Sequence, residues 1–205
     1  MSDRFAAAAM CAGHPNKVTP EGLRNLPFFL YMGGADAAYN RNAIVREFSA
    51  KMDALQTDDP AGYFHRLTVF PGLPHGMQNR EAEMIPRMSP LMRETWPKRV
   101  VWKQDDVTHP RFYWLERASD AVKPYEIYAA HVEDQTITIE TPATGNLTLR
   151  LSDELLDLDQ PVHVMAGGKM VFEGKVSRSL AAIMQSLREH EDPNTIATAL
   201  LPVSW

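Results

Sequence analysis

Hydrophobic and polar positions fall into two regimes that meet near Trp96-Pro97. In the first, apolar runs alternate with a helical stripe. Residues 5–12 are small and apolar throughout and read as a buried strand, although alanine suits a helix equally well by propensity. Gly13-His14-Pro15-Asn16 closes that run with turn residues. Residues 27–32 are apolar on both faces and stop at Gly33-Gly34, the pattern of a parallel strand covered on both sides. Residues 42–55 place Ile44, Val45, Phe48, Met52 and Leu55 on one helical stripe. Residues 63–70 alternate through Phe64, Leu67 and Val69, then turn at Pro71-Gly72-Leu73-Pro74 into His75. Residues 81–92 fit a helix interrupted by Pro86 and Pro90. Strand, helix, strand, helix in this order predicts a parallel sheet with helices packed on it.

The second regime is a series of short segments rich in β-branched and aromatic residues: 98–103, 111–115, 125–132, 135–140, 146–151, 161–165 and 169–173. Gly167-Gly168 is a hairpin signal. These segments predict a small antiparallel β-sandwich-like domain. A terminal helix over 179–190 is expected to carry Leu180, Ile183, Met184 and Leu187 on one face, ended by Pro193.

A chain of 205 residues accommodates one large domain or two small ones. With 44% hydrophobic and 23% charged residues, a packed core rather than disorder is expected. The net charge of −5 arises from 21 basic and 26 acidic residues with no basic block, so nucleic acid is not an expected partner. Cys11 is alone, which leaves no internal disulfide. The opening MSDRFAAAAMCAG lacks the basic start and long apolar stretch of a secretory signal, and no run approaches the length of a membrane span. A membrane is therefore not an expected partner, and the compartment stays open.

In an open parallel sheet, ligands bind beyond the carboxyl ends of the strands. Two loops in such positions carry ionisable groups: Asp36 follows the strand at 27–32, and His75 follows the strand at 63–70. If these strands are neighbours, both loops meet at one rim. A neutral imidazole there can take a proton from a nucleophile and return it to a leaving group, while a carboxylate fixes its tautomer. The plain alternative is a turn aspartate and a loop histidine, both common.

Three stretches make the pairing more specific. DRFAAAAMCAG, LPFFLYMGGAD and YFHRLTVFPGLPHGM resemble the sixth strand, the seventh strand with its acid loop, and the last strand with its histidine loop of α/β-hydrolase superfamily esterases. The closest likeness is to dienelactone-hydrolase-like and acetylxylan-esterase-like proteins. Some of these also carry β-rich tails with stretches resembling VVWKQDDVTHPRFYWLE and LRLSDELLDLDQPV. The resemblance implies Asp36 as triad acid and His75 as triad base, a small ester or acylated carbohydrate as substrate, and no cofactor. It implies a partial α/β-hydrolase domain over 1–96, the C-terminal portion of a doubly wound parallel sheet. A β-rich accessory domain over 97–205 follows.

The nucleophile elbow G-x-S-x-G does not occur around any of the nine serines. The expectation is therefore a truncated product or fragment that begins at an internal Met1. It would be inactive alone and prone to pair with a complementing chain, or with itself, through an open sheet edge.

Other residues invite chemistry with less support. His14 and Tyr39 are candidate substrate contacts, although a turn histidine explains the first. Tyr39, Asn40, Arg41 and Asn42 serve equally well as the start of a helix. Cys11 reads as a small buried residue rather than a nucleophile. The seven histidines show no metal-ligand spacing, and no metal site is expected. Phe112-Tyr113-Trp114 suits sugar stacking, but alternation along a strand places it mainly in the core. The competing functional expectation is a non-catalytic carbohydrate- or partner-binding module built on the β-rich half.

Overall fold

The computed structural model describes residues 2–141, 145–190 and 192–205, so Met1, the expected internal start, lies outside the described residues. The chain is mixed α/β and divides into two compact units, Met1–Glu94 and Thr95–Trp205.

The first unit is built on a three-stranded parallel sheet of β1 (Ala8–Cys11), β2 (Phe28–Gly33) and β3 (His65–Phe70), in the order β1-β2-β3. The central strand holds the most apolar run, and Phe29, Leu30, Tyr31 and Met32 are all buried. Alternation along β2 then divides the core in two. Leu30 and Met32 pack with Val45, Phe48 and Met52 of helix α1 (Arg41–Asp58). Phe29 and Tyr31 pack on the opposite face with Phe70 and Met77. The predicted helix at 42–55 is therefore present and longer. It stops where the Asp59 N–H bonds the Leu55 carbonyl and Pro60 follows. Arg24 grips Asp59 through two bonds of 2.7 and 3.0 Å, which ties down the connection to β3.

Two expectations for this unit are corrected. The strand at 5–12 shrinks to Ala8–Cys11, preceded by one 3-10 turn over Ser2–Arg4. The helix at 81–92 is instead a kinked 3-10 stretch, Met77–Met84, followed by the single turn α2 (Ile85–Met88), which has Pro86 in its first turn. Proline is compatible with a first turn but not with a continuous helix across this segment.

The second unit contains two sheets. One orders β11-β10-β8-β7-β4, from β4 (Arg99–Lys103), β7 (Ile127–Glu133), β8 (Thr136–Ile139), β10 (Val162–Ala166) and β11 (Lys169–Gly174). The other orders β12-β9-β6-β5, from β5 (Arg111–Phe112), β6 (Leu115–Glu116), β9 (Asn146–Leu151) and β12 (Ala199–Ser204). Residues from both sheets share one hydrophobic cluster, including Val100, Trp102, Ile137 and Val164 from the first and Leu115, Leu149 and Val203 from the second.

Four details differ from the sequence reading. Pairing is antiparallel except between β8 and β10, which run parallel because the chain crosses into the other sheet as β9 before returning. The strand at 111–115 is broken by a turn at Tyr113, whose φ is 51°. The helix α3 (Leu180–His190) is not terminal, because β12 follows it. Pro202 argues against a strand there, yet β12 stands at an edge, where a missing N–H costs no ladder bond. Finally, the apolar stripe of α3 is turned outward: Leu180 is 80% exposed, and Met184 and Leu187 are exposed as well. The helix buries Ala182 and Ser186 instead. Ser186 accepts bonds from the buried Arg150 at 2.8 Å and from the Ala197 N–H at 3.1 Å, so a polar contact sets the docking face.

Candidate active site

Asp36 and His75 are brought together at the carboxyl rim of the three-stranded sheet. Their strands β2 and β3 are hydrogen-bonded neighbours, with Gly33 opposite Phe70 at the ends. Beyond that point the two loops remain joined. The Gly34 N–H bonds the Phe70 carbonyl at 2.8 Å, and the Ala35 N–H bonds the Leu73 carbonyl at 3.0 Å. Contact this close requires glycine. A Cβ on Gly33 would lie 2.3 Å from the Pro74 carbonyl oxygen and 2.5 Å from that of Leu73. In the sequence, Gly33-Gly34 marked only the end of a strand. In the structure it lets the histidine loop lie on the acid loop.

The carboxylate Oδ2 of Asp36 lies 2.8 Å from His75 Nδ1. The Asp36 side chain is 2% exposed and that of His75 60% exposed. A buried carboxylate accepts from Nδ1–H, which fixes the neutral tautomer with a lone pair on Nε2. Nothing else among the described residues bonds the ring, so Nε2 is open to a reacting group. An imidazole held in this way is competent to accept and return a proton.

The other oxygen of Asp36 is also engaged: Arg41 Nη1 donates to Oδ1 at 3.3 Å. The Arg41 guanidinium lies 4.8 Å from the centre of the Tyr39 ring. Asn42 Nδ2 donates to the Gly34 carbonyl at 3.2 Å, and the Asn42 N–H bonds the Asp36 carbonyl at 3.3 Å. Residues 39–42 therefore fold back over the acid loop, and Asn40, at the N-cap of α1, makes no side-chain capping bond. Tyr39 is highly exposed and covers Arg41. His14 is exposed, and its Nδ1 accepts from the Asn16 N–H at 2.8 Å, a bond within its own turn that does not bring it to the pair.

Backbone strain collects at this rim. Outside glycine, positive φ occurs in the first unit at Ala12 and Asn16 after β1, Tyr39 and Asn40 after β2, and Met77, Gln78 and Asn79 after β3, with Tyr63 before β3 the other case among the described residues. Such conformations cost about 1–3 kcal/mol each and persist where the surroundings enforce them, typically at functional sites. Asn16, Asn40 and Asn79 belong to a type that tolerates the left-handed region, but nothing in the sequence signalled it at Ala12, Tyr39, Met77 or Gln78.

Two further groups have structural explanations. The Cys11 thiol donates to the Met84 sulfur at 3.6 Å. Burial, aided by the nearby Glu81 carboxylate, pushes its pKa upward, which makes it a poorer nucleophile. His65 Nδ1 sits 2.9 Å from the Tyr63 carbonyl oxygen and its Nε2 3.2 Å from Asp53 of α1, which ties helix to strand.

The second unit holds a parallel set of groups. His131 Nδ1 lies 2.6 Å from Glu140 Oε1, and Arg99 Nη2 donates to Glu140 Oε2 at 2.7 Å. Of the aromatic trio, Phe112 and Trp114 are buried, with Trp114 Nε1 donating to the Pro97 carbonyl at 2.8 Å. Among the described residues no group of three or more His, Cys, Asp or Glu side chains is placed to hold a metal, and no helix is long and apolar enough to cross a membrane. No protein-family model, curated protein or solved structure matches the chain.

Proposed function

We propose that the first unit supplies the acid and the general base of a serine carboxylic-ester hydrolase of the α/β-hydrolase type. On this reading its three strands are the C-terminal portion of a doubly wound sheet, and the second unit is a β-sandwich-like accessory domain. The observation that carries the reading is the 2.8 Å contact between a buried carboxylate and an exposed imidazole on loops from adjacent parallel strands. The same acid-then-histidine order marks the family.

The chemistry follows from the geometry. His75 Nε2 removes the proton of an attacking serine hydroxyl while Asp36 stabilises the imidazolium that forms. The serine attacks the ester carbonyl, the acyl group passes to it, and His75 returns the proton to the departing alcohol. Water, activated by the same nitrogen, then releases the acid. The serine and the oxyanion-hole donors belong to residues outside these 205. The substrate would be a small ester or an acylated carbohydrate. The edge position of β1 and the exposure of Phe5, Phe64, Ile85 and Met92 support pairing with a complementing polypeptide or a second copy.

Sequencing the DNA upstream of the Met1 codon and assaying p-nitrophenyl acetate hydrolysis test the proposal together. The chain alone should give no turnover above its His75→Ala variant. A polypeptide bearing G-x-S-x-G, encoded in frame upstream or in a neighbouring reading frame, should restore hydrolysis. Within that assembly His75→Ala should lower kcat by about 10²–10⁴-fold. Robust His75-dependent hydrolysis by the chain alone would contradict the missing nucleophile, and the absence of any such motif nearby would contradict the esterase.

A further inference from the structure

We propose that Arg41 is a positioning residue that holds Asp36 in the one orientation that presents Oδ2 to His75. This rests on the reading of Asp36 and His75 as acid and base, and names the device that orders them.

Arg41 stands at a place where arginine has little local reason to be. It is the first residue of α1, a helix whose first turn holds no acidic residue and whose N-cap makes no side-chain bond. A cation there opposes the helix dipole, which favours negative charge at the N-terminus. Reaching this position also takes two successive left-handed residues, Tyr39 at φ 53° and Asn40 at φ 58°. Both costs are met at one point, directly beside Asp36.

The contacts show what the arrangement achieves. Asp36 offers two oxygens, and its side chain is all but inaccessible to water. Arg41 Nη1 occupies Oδ1, which leaves Oδ2 for the imidazole. A carboxylate bonded through one oxygen only can rotate about its side-chain torsions, whereas one anchored at both ends cannot. The guanidinium also supplies a positive partner for a charge removed from water. It is itself confined, because the Tyr39 ring lies 4.8 Å away as a cation–π partner. The ordered series is Tyr39, Arg41, Asp36, His75, with the carboxylate enclosed and the imidazole at its end exposed.

The test uses the full chain labelled with 15N and reads the tautomer of His75 from its ring nitrogen shifts at a pH where the ring is neutral, with the His75→Ala spectrum identifying its signals. In the wild type, Nδ1 should show the shift of a protonated nitrogen and Nε2 that of a bare one. Arg41→Ala should move both signals towards a mixture of tautomers and broaden them. Arg41→Lys, which keeps the charge and a donor, should restore most of the wild-type pattern, and circular dichroism should show each variant folded. If Arg41→Ala folds and leaves the His75 shifts unchanged, Arg41 is only a structural cation and the proposal is overturned. If Arg41→Ala does not fold, Arg41→Lys and Arg41→Gln decide: identical His75 shifts in both overturn it as well. A wild-type His75 already in the Nε2–H form instead overturns the acid–base pair itself, and Arg41's role with it.

Discussion

Each unit contains an arginine, a carboxylate and a histidine in hydrogen-bonded sequence, yet the two sets differ in almost every physical respect that matters for chemistry. In the first unit the carboxylate of Asp36 is buried, the imidazole of His75 is exposed, and both sit on loops at strand ends. In the second unit Glu140, Arg99 and His131 are all partly exposed, and Arg99 and His131 are register partners on the adjacent strands β4 and β7. The second set has the geometry of cross-strand ion pairing on a sheet face, which stabilises modestly. The first removes the carboxylate from water and places it beside strained residues. Residue types alone do not distinguish the sets; burial and backbone do.

The widest test of that difference is Gly33→Ala. The added methyl has no space against the backbone of Leu73 and Pro74, so the histidine loop must shift. A loss of about 3 kcal/mol is expected, the upper range for overpacking. Hydrogen exchange should localise it to the first unit, with tryptophan fluorescence unchanged, because all four tryptophans lie in the second. Asp36→Asn comes next. It keeps the shape but leaves Arg41 without its anionic partner, and urea denaturation followed by circular dichroism should show a loss of about 2 kcal/mol. Glu140→Gln is the smallest, less than about 1 kcal/mol in the same measurement, as befits a partly exposed pair. Equal losses for Asp36→Asn and Glu140→Gln would erase the distinction drawn between the two sets.

Much of the first unit is legible in its sequence for a simple reason. The run at 27–32 is apolar on both faces because β2 is the central strand, with α1 on one side and the Met77–Met84 segment on the other. Gly33-Gly34 and Pro71–Pro74 then mark where the chain leaves the sheet. What the pattern does not carry is the closeness of the two loops, which depends on Gly33, or the role of Arg41, which depends on left-handed backbone at Tyr39, a residue that does not advertise it.

In the second unit, periodicity found most strands and misplaced the helix face. An apolar spacing through Leu180, Met184 and Leu187 is the ordinary mark of a buried stripe. Here the docking contact is Ser186 on Arg150, a side chain buried in the unit and also bonded to Glu116 and Glu189. A serine between Gln185 and Leu187 gives no warning of that. β12 is absent from the sequence reading, and Pro202 could not have announced it: whether a proline is tolerated depends on whether its strand is central or at an edge, and order within a sheet is a tertiary property.

The parallel contact between β8 and β10 has a consequence for how the second unit reaches its native state. These strands cannot zip together from a turn, as β10 and β11 do across Gly167-Gly168. The chain between them runs through the other sheet as β9, so the contact that joins the two hairpins of the five-stranded sheet closes a longer loop, at a higher entropic cost, than either hairpin does. Until it closes, β8 and β10 each present an unfilled ladder, and anything that delays that closure prolongs their availability to the wrong neighbour.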